Sequence, residues 1–224
     1  MTREDLDKIL KNHKLWIHGK EGGEVAEFRG ADLQGMDFSN VDLRNANFES
    51  ANLEGANFSR TNLRCTNLNH ADLTNANLRY ADLRGADLSY AILKNTVFVD
   101  ADLRSADFRY ANLAEANFIN AYLCDADLSS ANLCEADLKD AVLKNTNFKN
   151  TNIDFSCLPL WCGSLSAHFD DKQLIQIAYH LVRAGLKSKN ASDETKKELS
   201  KLIDFANKFH RVNKCGKILK EDEK

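Results

Sequence analysis

No run of about 18 apolar residues occurs in the 224-residue sequence, which therefore predicts no membrane-spanning helix. The opening stretch, Met1 to Lys14, is charged throughout and predicts no secretory leader. Cysteine is sparse: Cys65, Cys124, Cys134, Cys157, Cys162 and Cys215 lie scattered, without the dense framework of a small secreted domain. Cytoplasmic residence with free thiols is the expectation. Neither sign of charge dominates, since the formal net charge is −3, and no gross polyelectrolyte behaviour follows from it. Motifs of chemistry are missing too: there is no nucleophile elbow, phosphate loop or metal-binding helix pattern. His180 and His210 fall on predicted helices with no evident base or nucleophile partner. No catalytic residue, cofactor or metal is expected. Proline is nearly absent as well, with Pro159 alone in the chain.

What is present is a period of five. From Phe28 to Ile153 every fifth residue is Leu, Phe or Ile, giving 26 uninterrupted units. Two residues before each stands a small or modest side chain, usually Ala, sometimes Thr, as at Thr61, Thr66, Thr96, Thr146 and Thr151. Between them comes Asp or Asn in most units, as in Ala31-Asp32-Leu33. A spacing of two puts the small residue and the Leu or Phe on one side of an extended chain and the Asp or Asn on the other. A helix does not explain the pattern, because a period of five drifts around a 3.6-residue turn. The remaining two residues of each unit, often Gly, Ser, Asn or charged, must turn a corner. The phenylalanines of the array, at 28, 38, 48, 58, 98, 108, 118 and 148, are all separated by multiples of ten. Alternate sides of the coil are thus physically distinct, which requires an even number of sides.

A tandem A-[D/N]-[L/F]-x-x array resembles the pentapeptide-repeat family. The resemblance covers residues 28–153 in strict register, and the lead-in Lys14-Leu15-Trp16-Ile17 with Gly22-Gly23 is similar to the usual entry to such arrays. It implies an all-β solenoid, a right-handed quadrilateral β-helix with 20 residues per coil. At strand spacing, six and a half coils would stack to roughly 30 Å.

Both ends of a solenoid must be closed against bare edges and an open core. Thr2 can N-cap a helix from Arg3 to about Lys14, with Leu6, Ile9 and Leu10 on one face and Trp16 and Ile17 covering the first coil. Past Pro159, Asp170 or Asp171 can cap a helix ending at Gly185, and Ser192 a second one bearing Leu199, Leu202, Ile203, Ala206 and Phe209. The division expected is 1–23 N-terminal cap helix and lead-in, 24–158 repeat array, 159–213 C-terminal α-helical hairpin, and 214–224 polar tail.

Charge separates by side and segment. The array carries 12 Lys and Arg against 20 Asp and Glu, while the segment from Pro159 onward holds 13 against 9. Under a 20-residue coil Arg44, Arg64, Arg84 and Arg104 stack in a column continued by Lys144. Asp42, Asp82 and Asp102, two positions earlier on the same outward side, can neutralise it. The side of Leu33 to Ile153 carries Asp32, Glu54, Asp72, Glu115, Glu135 and Asp154 against Lys94 alone. It is the candidate partner-binding acidic face, or else a solvated side that keeps the solenoid soluble. Apolar residues break the Asp/Asn rule at Ile92, Val97, Tyr122 and Val142, and the last two, 20 apart, form a candidate apolar patch. Cys157, Cys162 and His168, with Cys215, do not have standard zinc spacing and read as cap thiols. Cys124 and Cys134 sit on opposite sides and cannot bridge.

The function expected is therefore that of a non-enzymatic interaction or scaffold protein with an unidentified protein partner. The family resemblance also implies an alternative, a DNA-mimicking regulator of a type II topoisomerase such as DNA gyrase. It further implies a candidate homodimer through the C-terminal helices. Direct nucleic-acid binding and membrane association are not expected.

Overall fold

The structure, a computed structural model, describes residues 2–153 and 192–201, within two compact units, Met1–His168 and Phe169–Lys224. In the first unit, parallel bridges join each outward position to the one 20 residues later, from Glu27↔Asn47 to Asn132↔Asn152. The chain turns every fifth residue and meets itself every twentieth, so each coil has four sides. We number them by their central residues: first (Phe28, Phe48 and onward), second (Leu33, Leu53), third (Phe38, Phe58) and fourth (Leu43, Leu63). The contact between coils is a ladder of isolated one-residue bridges rather than long strands.

Backbone hydrogen bonding explains the repeat residue by residue. In the unit centred on Phe48, Phe48 N–H donates to Asn67 O, Ser50 N–H to Asn69 O, and Asn47 N–H to Ala26 O in the coil before. The turn closes with Ala51 N–H on Phe48 O at 2.9 Å. Four of five N–H groups are thereby bonded, and the fifth, on the residue after the central one, needs an acceptor. The Asp/Asn side chain supplies it: Asn47 Oδ1 accepts from Glu49 N–H at 3.1 Å, and Asp72 Oδ1 from Thr74 N–H at 2.9 Å. Asn and Asp are the side chains short enough to accept from a backbone N–H two residues on. Their place in the repeat is thus a backbone requirement, which the outward-facing pattern alone did not disclose.

The second corner residue has φ between 54° and 66° throughout, with a glycine at only four of these corners, Gly30, Gly35, Gly55 and Gly85. Positive φ confined to that position defines a type II turn. Asn and Asp tolerate this region and fill many of the other corners, while Tyr80, Tyr90 and Tyr110 occupy it at a steric cost of about 1–2 kcal/mol each.

Inside, the alternating sides behave as expected. Phenylalanines of the first side stack on each other, as do those of the third: Phe28–Phe48 at 4.7 Å and Phe38–Phe58 at 5.0 Å. Rings from these two opposite sides meet edge-on, as in Phe48–Phe58 at 5.7 Å. Each such pair adds about 0.5–1.5 kcal/mol beyond burial. Threonines in the small position bond a carbonyl of the preceding coil, for example Thr61 Oγ1 to Phe38 O at 2.7 Å, so the hydroxyl is buried without penalty. The small-residue rule loosens only at the first coil, where Ala31, Met36 and Val41 are half-buried and larger side chains fit.

Helix α1 spans Arg3–Ile17, one turn longer than the sequence predicts, and takes Trp16 and Ile17 into the helix rather than the lead-in. Thr2 caps it as expected, in a capping box with Asp5. It ends in a Schellman motif: Gly19, at φ 63°, donates to Trp16 O, and Lys20 to Leu15 O. Gly23 then passes so close to α1 that a Cβ there would run into the Trp16 backbone. His13, 1% exposed, accepts the Ala26 N–H on Nδ1 at 3.0 Å and stacks on Trp16, while its Nε2 is buried without a partner. Burial pushes its pKa down.

In the second unit, helix α2 spans Asp193–Ser200, and Ser192 Oγ accepts the Thr195 N–H at 3.1 Å, as its expected capping role requires. The remainder of the expected hairpin, the polar tail, Cys157, Cys162, His168, His180, His210, Cys215 and Asp154 lie outside the described residues. No helix among the described residues is long and apolar enough to cross a membrane.

Candidate protein-binding sides of the solenoid

The four sides differ in how their charges are compensated. On the fourth side three arginines of the column are neutralised within their own repeats, Arg44 by Asp42, Arg84 by Asp82 at 2.6 Å and Arg104 by Asp102 at 2.6 Å, whereas the repeats of Arg64 and Lys144 hold Asn62 and Val142 instead of an aspartate. Arg109 and Asp107 repeat the arrangement on the first side. Partial burial alone would raise the Asp42, Asp82 and Asp107 carboxyls, but hydrogen bonds from their arginines outweigh it and hold all three below the usual carboxylate range.

The second side, opposite, is compensated far less. Lys94 reaches Glu115 at 3.3 Å, and no ion pair is found for Asp32, Glu54, Asp72 or Glu135 among the described residues. These carboxylates are not equivalent. Asp32 and Asp72 stand in the flat of the side, and both accept a turn N–H, Asp72 also the Thr74 hydroxyl. Glu54 lies beside the corner and accepts from Gln34 Nε2 at 2.9 Å. Glu115 and Glu135 stand one above the other at the corner itself, both exposed. The acidic column thus runs from side to corner, and its members at the corner, unlike Asp32 and Asp72, hold no turn N–H.

Tyr122 and Val142 are brought together, joined by a parallel bridge on the fourth side, with Tyr122 50% exposed. All four apolar exceptions lack the Oδ1 that accepts the following turn N–H elsewhere, so each forgoes a hydrogen bond of about 0.5–1.5 kcal/mol.

Sequence reasoning missed an aromatic column at the corner between the first and second sides. His70, Tyr90 and Tyr110 stack at 5.0 Å and 4.9 Å, with both tyrosines about half exposed. Ile92, 43% exposed, stands two residues beyond Tyr90 on the second side. The signal was their spacing of 20; attention to the repeat's centre hid its corners. At another corner Arg60 lies over the Tyr80 ring at 5.1 Å. Among the described residues, the thiols of Cys65 and Cys124 are in no disulfide, and no group of His, Cys, Asp and Glu is placed to hold a metal.

Comparison with known proteins agrees with this architecture. The family described as Pentapeptide repeats matches in eight copies, over residues 26–64, 42–79, 81–118, 101–140 and 126–158. Among solved structures, HetL, a pentapeptide repeat protein involved in heterocyst differentiation regulation from the cyanobacterium Nostoc sp. strain PCC 7120, is 29% identical over 65% of this chain and 70% of its own, with a TM-score of 0.29. AT2G44920, from the Arabidopsis thaliana thylakoid lumen, is 26% identical over 76% and 90%, with a TM-score of 0.31. QnrB1, a plasmid-mediated fluoroquinolone resistance protein, is 17% identical over 69% and 91%, with a TM-score of 0.41. No curated protein matches the chain. Repeat by repeat, in residues and in coil geometry, this chain belongs to the pentapeptide-repeat family.

Proposed function

We propose that the chain is a non-enzymatic interaction module that binds a protein partner through the outer surface of its second side. The observation that carries this reading is the contrast between opposite sides: aspartates paired with arginines on the fourth, and on the second carboxylates of which, among the described residues, Glu115 alone has a counter-ion. A surface of uncompensated charge on a rigid scaffold favours encounter with a basic partner. The interior supports the absence of catalysis, because the central positions, and the small positions beyond the first coil, are filled by side chains at or near zero exposure, leaving little room for a substrate. Cytoplasmic residence, and a homodimer contact in the C-terminal segment, belong to the same reading.

The test uses cross-linked capture from a lysate of the native host, with the parent and a Glu54→Lys, Glu115→Lys, Glu135→Lys variant. Asp72 is left in place because its carboxylate holds the Thr74 turn. The expected outcome is a partner held by the parent in a salt-sensitive manner and lost by the variant. A partner held equally by both would move the contact off the second side.

The alternative, mimicry of DNA toward a type II topoisomerase, draws on the same carboxylates. The paired arginines of the fourth side run against it, since they interrupt the negative surface. A gyrase supercoiling assay is expected to be unaffected by micromolar protein; inhibition or protection there would reinstate the alternative.

A further inference from the structure

Resting on the interaction reading, we infer that the corner column of His70, Tyr90 and Tyr110, with Ile92 beside it, is a docking site for an arginine-bearing segment of a partner protein. Three observations converge on guanidinium. The stacked rings cover each other's faces, but one coil above Tyr110 the column holds only Ser130, so among the described residues no ring or cation covers the outer face of the last ring. The chain fills the comparable space at a different corner with its own arginine, Arg60 over Tyr80 at 5.1 Å. Arg60 covers the Tyr80 face toward the preceding coil; at Tyr110 that face is taken by Tyr90, and the face toward the following coil is the one left open to a guanidinium.

Charge supplies the second argument. Asp72 lies one coil below Ile92 in the same column, bridged to it, and Glu115 and Glu135 line the far corner of the same side. A guanidinium can stack on an aromatic face while its N–H groups bond carboxylates, which a lysine ammonium does less well. Thirdly, Ile92 is retained where Asp or Asn would accept the Lys94 N–H, so an apolar surface persists beside the rings at the expense of a turn hydrogen bond.

The experiment titrates the full chain with octa-arginine and octa-lysine peptides at physiological salt, by calorimetry. Octa-arginine is expected to bind roughly fivefold tighter. Tyr90→Asn with Tyr110→Asn, using a residue that already turns corners at Asn75 and Asn95, should bring the ratio close to one while the melting curve stays that of a folded chain. Glu54→Gln with Glu135→Gln should weaken both peptides alike, and Tyr122→Asn should leave the ratio intact. Equal binding of the two peptides by the parent, or a ratio unchanged in the double tyrosine variant, overturns the inference while leaving the interaction reading standing. Binding of neither peptide, with tyrosine-dependent self-association in the ultracentrifuge, overturns it in favour of a second copy as the occupant.

Discussion

Asparagine at the outward position has a value that can be isolated by exchanging residues in both directions. Asn67 Oδ1 accepts the Asn69 N–H at 3.0 Å, whereas Ile92 offers Lys94 nothing comparable. Ile92→Asn should therefore stabilise the chain, and Asn67→Ile should destabilise it, each by about 0.5–1.5 kcal/mol. β-Branched residues are otherwise favoured in extended segments, by up to about 1 kcal/mol, so the two influences oppose each other in both variants. Thermal or urea melts decide between them. If Ile92→Asn lowers stability, strand preference outweighs the turn bond, and the Asp/Asn rule must then rest on solubility or on the side-chain ladder, such as Asn77 Nδ2 to Asn57 Oδ1 at 3.1 Å.

Helix α1 is joined to the first coil through a titratable group. His13 must keep Nδ1 unprotonated to accept the Ala26 N–H, and its buried Nε2 has no partner to share a proton's charge. The folded pKa is lowered from 6.5, first by burial, with Asp42 acting to raise it and Arg44 to lower it further. Below pH about 6.5 the unfolded chain thus binds more protons than the folded one, and stability falls as pH drops from there through the depressed folded value. Protonation should loosen α1 from residues 24–26, read as faster hydrogen exchange at the Ala26 amide at pH 5 than pH 7, after correction for intrinsic rates. His13→Asn, which keeps an acceptor but does not titrate, should abolish that difference; its persistence would place the acid sensitivity elsewhere. None of this was visible in the sequence. Leu6, Ile9 and Leu10 announced the helix by their spacing, and His13 falls on the same face, but helical spacing does not say that its Nδ1 holds an amide from residue 26. The coil itself was legible because strict periodicity leaves only one way to bury Leu and Phe together. The corners were not, because their residues vary freely in type while sharing one backbone conformation.

Across the whole solenoid, closure of each coil after 20 residues makes angular position a matter of arithmetic: residue number modulo twenty names the side. Chain length then acts as a phase. Adding twenty residues lifts everything downstream by one coil without rotation, whereas adding five turns it by a quarter. The central residues from Leu63 to Leu93 are all leucine, so this stretch has no phenylalanine sides to be mismatched by such a rotation. A duplication of 91–95 should accordingly fold and melt cooperatively, yet carry Tyr110 off the Tyr90 ring and onto a different corner. A duplication of 76–95 should keep the column and lengthen it by one ring. Circular dichroism checks the folding, and ring-to-ring contacts between Tyr90 and the tyrosine one coil above it, lost in the first and kept in the second, check the phase by nuclear magnetic resonance. Small insertions, usually the gentlest of changes in a loop, would here act as rotations of the entire downstream surface, and only multiples of four repeats would pass unnoticed by a partner.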